Sequence, residues 1–107
     1  MKVEIFYFPE CPHYLTAVNT VRETLEQEGV LAELAAVEVR DSAAAQQLRF
    51  LGSPSIRING RDIEVAARDS REFGLSCRTY AAHGGRAGTP PQEWIRAAVQ
   101  EANETLQ

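Results

Sequence analysis

Apolar and polar positions along this chain switch between the two-residue period of strands and the 3.6-residue period of helices. From Val3 to Phe8 the residues are apolar except for Glu4 and mostly β-branched or aromatic, which predicts a strand buried on both faces. Pro9 and Pro12 break it. Pro12 suits a first helical position, which needs no N–H donor. Leu15, Val18, Val21 and Leu25 then recur at helical spacing while Arg22, Glu23, Glu26 and Glu28 point elsewhere, predicting an amphipathic helix that stops at Gly29. Residues Leu34 to Val39 form a second strand, with Val37 and Val39 on one face. Asp41 or Ser42 caps a short helix expected to run through Leu51 and end at Gly52, with Ala44, Ala45, Leu48 and Leu51 as its apolar side.

Asn59-Gly60 is a two-residue hairpin signal, because both positions accept positive φ. The turn sets a register: Ile58 opposite Arg61, Arg57 opposite Asp62, Ile56 opposite Ile63. One face of the hairpin is then mainly apolar. The other pairs Arg57 with Asp62 beside Ser55 and Glu64, and its polarity predicts an exposed face. Residues 66–88 are irregular. Phe73, Leu75, Cys77 and Thr79 alternate with Gly74, Ser76, Arg78 and Tyr80, which allows one short extra strand, and His83 to Gly88 reads as loop. Thr89 with Pro90 and Gln92 forms a capping box for a last helix whose stripe is Ile95, Ala98, Val99, Ala102 and Leu106, with Trp94 at its edge. The order is β-α-β-α-β-β-α in a single domain spanning 1–107.

Composition narrows the classes. The chain has 107 residues, 44% hydrophobic and 24% charged, enough for one globular core without staples. Its formal net charge of −4 argues against nucleic acid or an anionic membrane as partner. No apolar run reaches the roughly 18–20 residues of a membrane span, and the N-terminal stretch lacks the pattern of a signal peptide. The expectation is a cytoplasmic protein with reduced thiols, in which two cysteines are reactive or metal-binding rather than a disulfide scaffold.

Cys11 carries the strongest chemical signal. It follows an apolar strand at the mouth of a helix, where unpaired N–H groups and the helix dipole favour a thiolate. Its bland alternative is a buried structural cysteine. Tyr14 stands where a Cys-x-x-Cys motif would place its second thiol, so Cys11 has no local partner to resolve a mixed disulfide. Tyr14 either donates to the sulfur or only packs beside it. His13 is either a proton carrier near neutral pH or an exposed polar residue without a role. Cys77 is either a distant resolving thiol, with Arg78 favouring its thiolate, or an apolar residue packed beside Leu75.

Cys11, His13, Cys77 and His83 are a set of nitrogen and sulfur ligands, but they lack the close-spaced pairs of zinc sites, so no structural metal is expected. Cys11 and Cys77 alone suit linear Hg(II). The glycines at 84, 85 and 88 do not sit between a strand and a helix as a phosphate loop requires. Arg57, Arg61, Arg68, Arg71, Arg78 and Arg86 alternate with acids and read as a solvated surface.

The element order, Cys11 at the first strand-to-helix junction and Pro54 opening the third strand together resemble the thioredoxin fold, over all but roughly residues 66–88. The resemblance implies a thioredoxin-like α/β domain, a mixed sheet with helices on both faces. It implies that Pro54 is cis and packed against the thiol, and that the backbone before it, Ser53, lines a substrate groove. It also implies a thiol-dependent redox protein without cofactor, in which Cys11 attacks a thiol or disulfide substrate, protein or glutathione-like, and Cys77 resolves it. The Cys11-Pro12 pair, Gly52 through Ile63, Phe73 through Tyr80 and Pro90 through Arg96 resemble small bacterial thioredoxin-like proteins labelled as relatives of alkylmercury lyase. That label implies thiol and mercury chemistry. It leaves two alternatives: a soft-metal, Hg(II)-capturing accessory protein without turnover, or a catalytically inert interaction domain. The chain is shorter than a full organomercurial lyase, so C–Hg cleavage is not carried over.

Overall fold

In the computed structural model, which describes residues 1–105, β1 (Lys2–Tyr7) runs through the middle of a four-stranded mixed sheet of order β2-β1-β3-β4. β2 (Glu33–Glu38) lies parallel to it, with Val3 opposite Leu34 and Phe6 opposite Val37. A parallel neighbour demands a crossover, and α1 (Tyr14–Gln27) supplies it. After α2 (Ser42–Gln47), β3 (Ser55–Ile58) returns antiparallel to β1, with Ile5 opposite Ile56. β4 (Arg61–Asp62) pairs with β3 in the register expected from Asn59-Gly60: Arg57 faces Asp62 and Ile58 faces Arg61. Asn59 and Gly60 both take positive φ, 52° and 82°. A 3₁₀ turn at Val65–Ala67, a separate hairpin of β5 (Tyr80–Ala82) and β6 (Gly85–Ala87), and α3 (Gln92–Thr105) complete the described chain. No helix among the described residues is long and apolar enough to cross a membrane.

Two apolar clusters fill the two sides of the sheet. Val3, Ile5, Ile56 and Ile58 pack with Ala17, Val18, Val21 and Leu25 of α1 and Ile95, Ala98 and Val99 of α3. Phe6, whose side chain points the other way from β1, packs with Val39, Ala45 and Phe50 on the α2 side. Ile5 and Phe6 are therefore both buried, as expected for the central strand. Each such side chain removed from water contributes about 1.5–3 kcal/mol.

Several boundaries differ from the sequence pattern. Leu15 is 67% exposed, because the buried stripe of α1 runs Ala17, Val18, Val21, Thr24 and Leu25, and half-buried Tyr14 takes its first position. His13, not Pro12, is adjacent to the first helical residue, so Cys11 lies two residues before the N-cap. α2 stops at its C-cap Leu48 rather than running to Leu51. Arg49 adopts φ 57°, Phe50 N–H donates to Ala45 O and Arg49 N–H to Gln46 O, the double closure usually made by glycine. The Arg57 guanidinium donates to Leu48 O and Arg49 O at 2.8 Å each, satisfying that helix end.

The expected loop at 83–88 is half of a hairpin, turning at His83-Gly84 with φ 53° and 77°. α3 begins at Gln92, past the expected Thr89 cap, with Trp94 N–H donating to Pro91 O. Leu106, the last position of its expected stripe, lies outside the described residues. The polar face of the β3–β4 hairpin is covered: Ser55 is 1% exposed and Asp62 7%.

Candidate functional site

Ser53 holds Cys77 directly and the segment carrying Cys11 through Phe8. On one side, Phe8 N–H donates to Ser53 Oγ at 3.3 Å, and Phe8 O accepts from Cys11 N–H at 3.0 Å, so the turn that carries Cys11 begins on the Ser53 side chain. On the other side, Cys77 forms an isolated parallel β-bridge with Ser53. Ser53 N–H donates to Ser76 O at 2.8 Å, and Arg78 N–H donates to Ser53 O at 2.9 Å. The alternation at 73–80 thus yields one bridge rather than a strand. Cys11 is half-buried and Cys77 exposed, and both thiols are free. The Ser53–Pro54 bond is cis.

Arg78 locks this bridge from behind. It is only 8% exposed, so its expected place on a solvated surface is overturned. Its guanidinium donates to both oxygens of Asp62 at 2.7 and 2.9 Å, to Glu64 Oε1 at 3.0 Å and to Ser55 Oγ at 3.0 Å. Asp62 therefore pairs with Arg78 and not with Arg57, its neighbour across the hairpin. Burial opposes the Arg78 charge, but the hydrogen bonds it donates to Asp62 and Glu64 and the nearby Tyr80 and Asp62 charges outweigh it and raise its pKa. Ser55 Oγ in turn donates to Gly52 O.

Tyr80, fully buried, donates its hydroxyl to Pro54 O, with Arg78 4.6 Å from its ring centre and the Trp94 ring edge-on at 6.2 Å. Burial pushes its phenol up; Arg78 pulls it down, and the charges of Asp62, Glu64 and Cys11 push it further up.

The remaining expected residues take structural positions. The Tyr14 ring stacks on Tyr7 with centroids 3.9 Å apart and planes 15° off parallel. The Tyr7 phenol is raised by burial first and then by Tyr14. The exposed His13 imidazole lies against Gly88, where an added Cβ would fall 2.3 Å from the ring. His83 sits at the β5–β6 turn and faces Glu93 at 2.6 Å. Among the described residues, no three His, Cys, Asp or Glu side chains converge as metal ligands. Arg78, Asp62, Glu64 and Tyr80 were not singled out from sequence as one unit. The available signal was the polar trio Ser55, Asp62 and Glu64 on one hairpin face, which requires a cation if that face is covered.

A mixed α/β domain with a cis-proline turn, bridged to Cys77 and hydrogen-bonded through Phe8 to the segment that carries Cys11, is the class these features define. The chain belongs to the family described as a domain of unknown function (DUF2703), whose profile matches residues 13–99. Ser53, Pro54, Cys77 and Arg78 lie inside the matched stretch, and Cys11 lies two residues before it. No curated protein and no solved structure matches the chain.

Proposed function

We propose that this chain is a thioredoxin-like, thiol-dependent redox domain acting in a reducing compartment such as the cytoplasm. The observation that carries the reading is the double anchoring of Ser53, to Cys77 by backbone and to the Cys11 turn by side chain. The sheet order β2-β1-β3-β4, with α1 and α3 on one side and α2 on the other, supports it.

In this reading the Cys11 thiolate attacks one sulfur of a substrate disulfide. A Cys11–substrate disulfide forms, and the other substrate sulfur leaves as a thiolate. The Cys77 thiolate then attacks Cys11 Sγ, releasing the second substrate thiolate and leaving a Cys11–Cys77 disulfide. The substrate gains two electrons, the two cysteines lose them, and an external thiol reductant of the glutathione or dithiol class resets the pair. Ser76 and Arg78 already use the N–H and C=O of Ser53. A substrate strand therefore does not pair there, and the substrate is a disulfide presented without backbone docking, such as a glutathione-like one.

The test is mass spectrometry after mild oxidation. The reading expects the mass to fall by two hydrogens and peptide mapping to link Cys11 to Cys77. Separate glutathione caps on both thiols, or no reaction, would overturn the resolving role. The same two thiols support a second reading, two-coordinate capture of Hg(II). It requires tighter binding than in a Cys11→Ser, Cys77→Ser double variant, and equal binding would remove it.

A further inference from the structure

Five of the arginines converge away from the thiols. Arg49, Arg57, Arg61, Arg68 and Arg71 line one open groove of about 680 Å³, with Phe73 on its wall. Ser53, Pro54 and both cysteines are not among its lining residues. The volume falls in the range of about 300–1,000 Å³ typical of small-ligand sites.

The charges there are only partly answered. Arg61 and Arg68 share Glu101 at 3.8 and 3.3 Å. Arg57 is committed to the α2 carbonyls and stacks 4.2 Å from the Phe6 ring centre. Two acids also line the groove, Asp62 and Asp69, and both oxygens of Asp62 are held by Arg78. Arg49 lies 5.6 Å over the Phe73 ring, and among the described residues neither it nor Arg71 has a carboxylate partner.

A chain of net charge −4 has thus gathered five arginines around one groove, where they repel one another. Burial lowers the Arg57 pKa first, Asp62 and Glu4 act against that, and Arg78 and Arg49 lower it further. A multivalent anion would relieve this repulsion, and planar guanidinium groups match phosphate and carboxylate oxygens in pairs.

We infer that this groove binds a small polyanion carrying phosphate or clustered carboxylate groups, with Arg49 and Arg71 as its principal free contacts and Phe73 as an apolar wall. The site is independent of the redox reading.

Calorimetric titration of the full chain with inorganic phosphate, pyrophosphate and citrate, at matched ionic strength, tests it. One-to-one binding of pyrophosphate or citrate is expected, and the tighter of the two assigns phosphate or carboxylate chemistry. An Arg49→Asn, Arg71→Ala variant should lose about tenfold or more in affinity. Asparagine suits the positive φ at 49, and both side chains are exposed, so an unchanged far-ultraviolet circular dichroism spectrum is the folding control. An Arg22→Ala, Arg40→Ala variant, which removes the same charge elsewhere, should bind as the native chain does. Absence of binding by all three anions, or equal losses in the two variants, would overturn the site.

Discussion

Cys77 is held in β-bridge register with Ser53, the residue that opens the cis-Pro54 turn, by hydrogen bonds of 2.8 and 2.9 Å on either side of the bridge. The segment that interrupts the otherwise regular element order is therefore stitched onto the edge of the proline turn. A thiol distant in sequence stands beside the turn that also anchors Cys11.

If Cys77 resolves Cys11, replacing it separates the two half-reactions. Cys77→Ser is expected to form a Cys11–glutathione adduct and to retain it, while the native chain releases glutathione as the internal disulfide closes. Time-resolved intact-mass measurement reads the adduct directly. Equal adduct lifetimes in the two proteins would take Cys77 out of the reaction.

Arg78 neutralises buried Asp62, so removing either alone leaves an uncompensated charge. Arg78→Ala is expected to cost about 3–5 kcal/mol in urea unfolding, and Arg78→Met with Asp62→Leu to recover most of it. The pair also has a defined pH window. Arg78 has its folded pKa raised, so its contribution is fully present below the unfolded pKa and is lost only as pH rises through the folded value. Ion-pair stabilisation should therefore persist across neutral and mildly alkaline pH. A large loss between neutrality and about pH 9 in the native chain, absent from the double variant, would contradict this.

Tyr80 carries the same sign in a lower pH window. Its phenol stays protonated in the folded chain above the ordinary value of about 10, so the unfolded state releases the proton first. Stability should fall as pH rises above about 10, and Tyr80→Phe should reduce that slope. At neutral pH the same substitution leaves Pro54 O without its hydroxyl donor, at an expected cost of about 1–3 kcal/mol. Urea midpoints across the alkaline range measure both.

Gly52 is the close-approach position beneath the bridge. It takes φ 118°, and an added Cβ would lie 2.9 Å from Arg78 Cβ and 3.2 Å from Ser76 O. Gly52→Ala is expected to destabilise by about 1–3 kcal/mol and to lift residues 76–78 from Ser53. Faster amide hydrogen exchange at Ser53 and Arg78, relative to β1, would register the release. In Gly88→Ala the added Cβ meets the exposed His13 ring first, a flexible side chain rather than backbone, and it should cost less than Gly52→Ala in the same unfolding assay.

Where local chemistry dictates geometry, the elements were legible. The Asn59-Gly60 turn sets the β3–β4 register because both residues accept positive φ, and Gly29 closes α1 at φ 64° for the same reason. Of the residues singled out from sequence, Cys77 bridges Ser53 and the turn carrying Cys11 reaches Ser53 Oγ through Phe8, whereas Tyr14 stacks on Tyr7 and His13 rests on Gly88. The β5–β6 hairpin escaped notice because five of its six residues are short of full burial and carry no alternating apolar face. Leu15 misled because helical spacing alone does not say which of two adjacent apolar residues the stripe uses.

The sequence by itself determined the order of the main-sheet strands and their helices, the central strand and the hairpin register, since these rest on apolar periodicity and on residues tolerant of positive φ. Only the tertiary structure decided the fate of the charged residues. Arg78 meets Asp62, Glu64 and Ser55 from 14 to 23 positions away, and five other arginines are folded around one groove. A charge carries no periodicity that announces its partner. Whether it is solvated, buried or gathered into a site depends on which distant segments the packed sheet brings beside it.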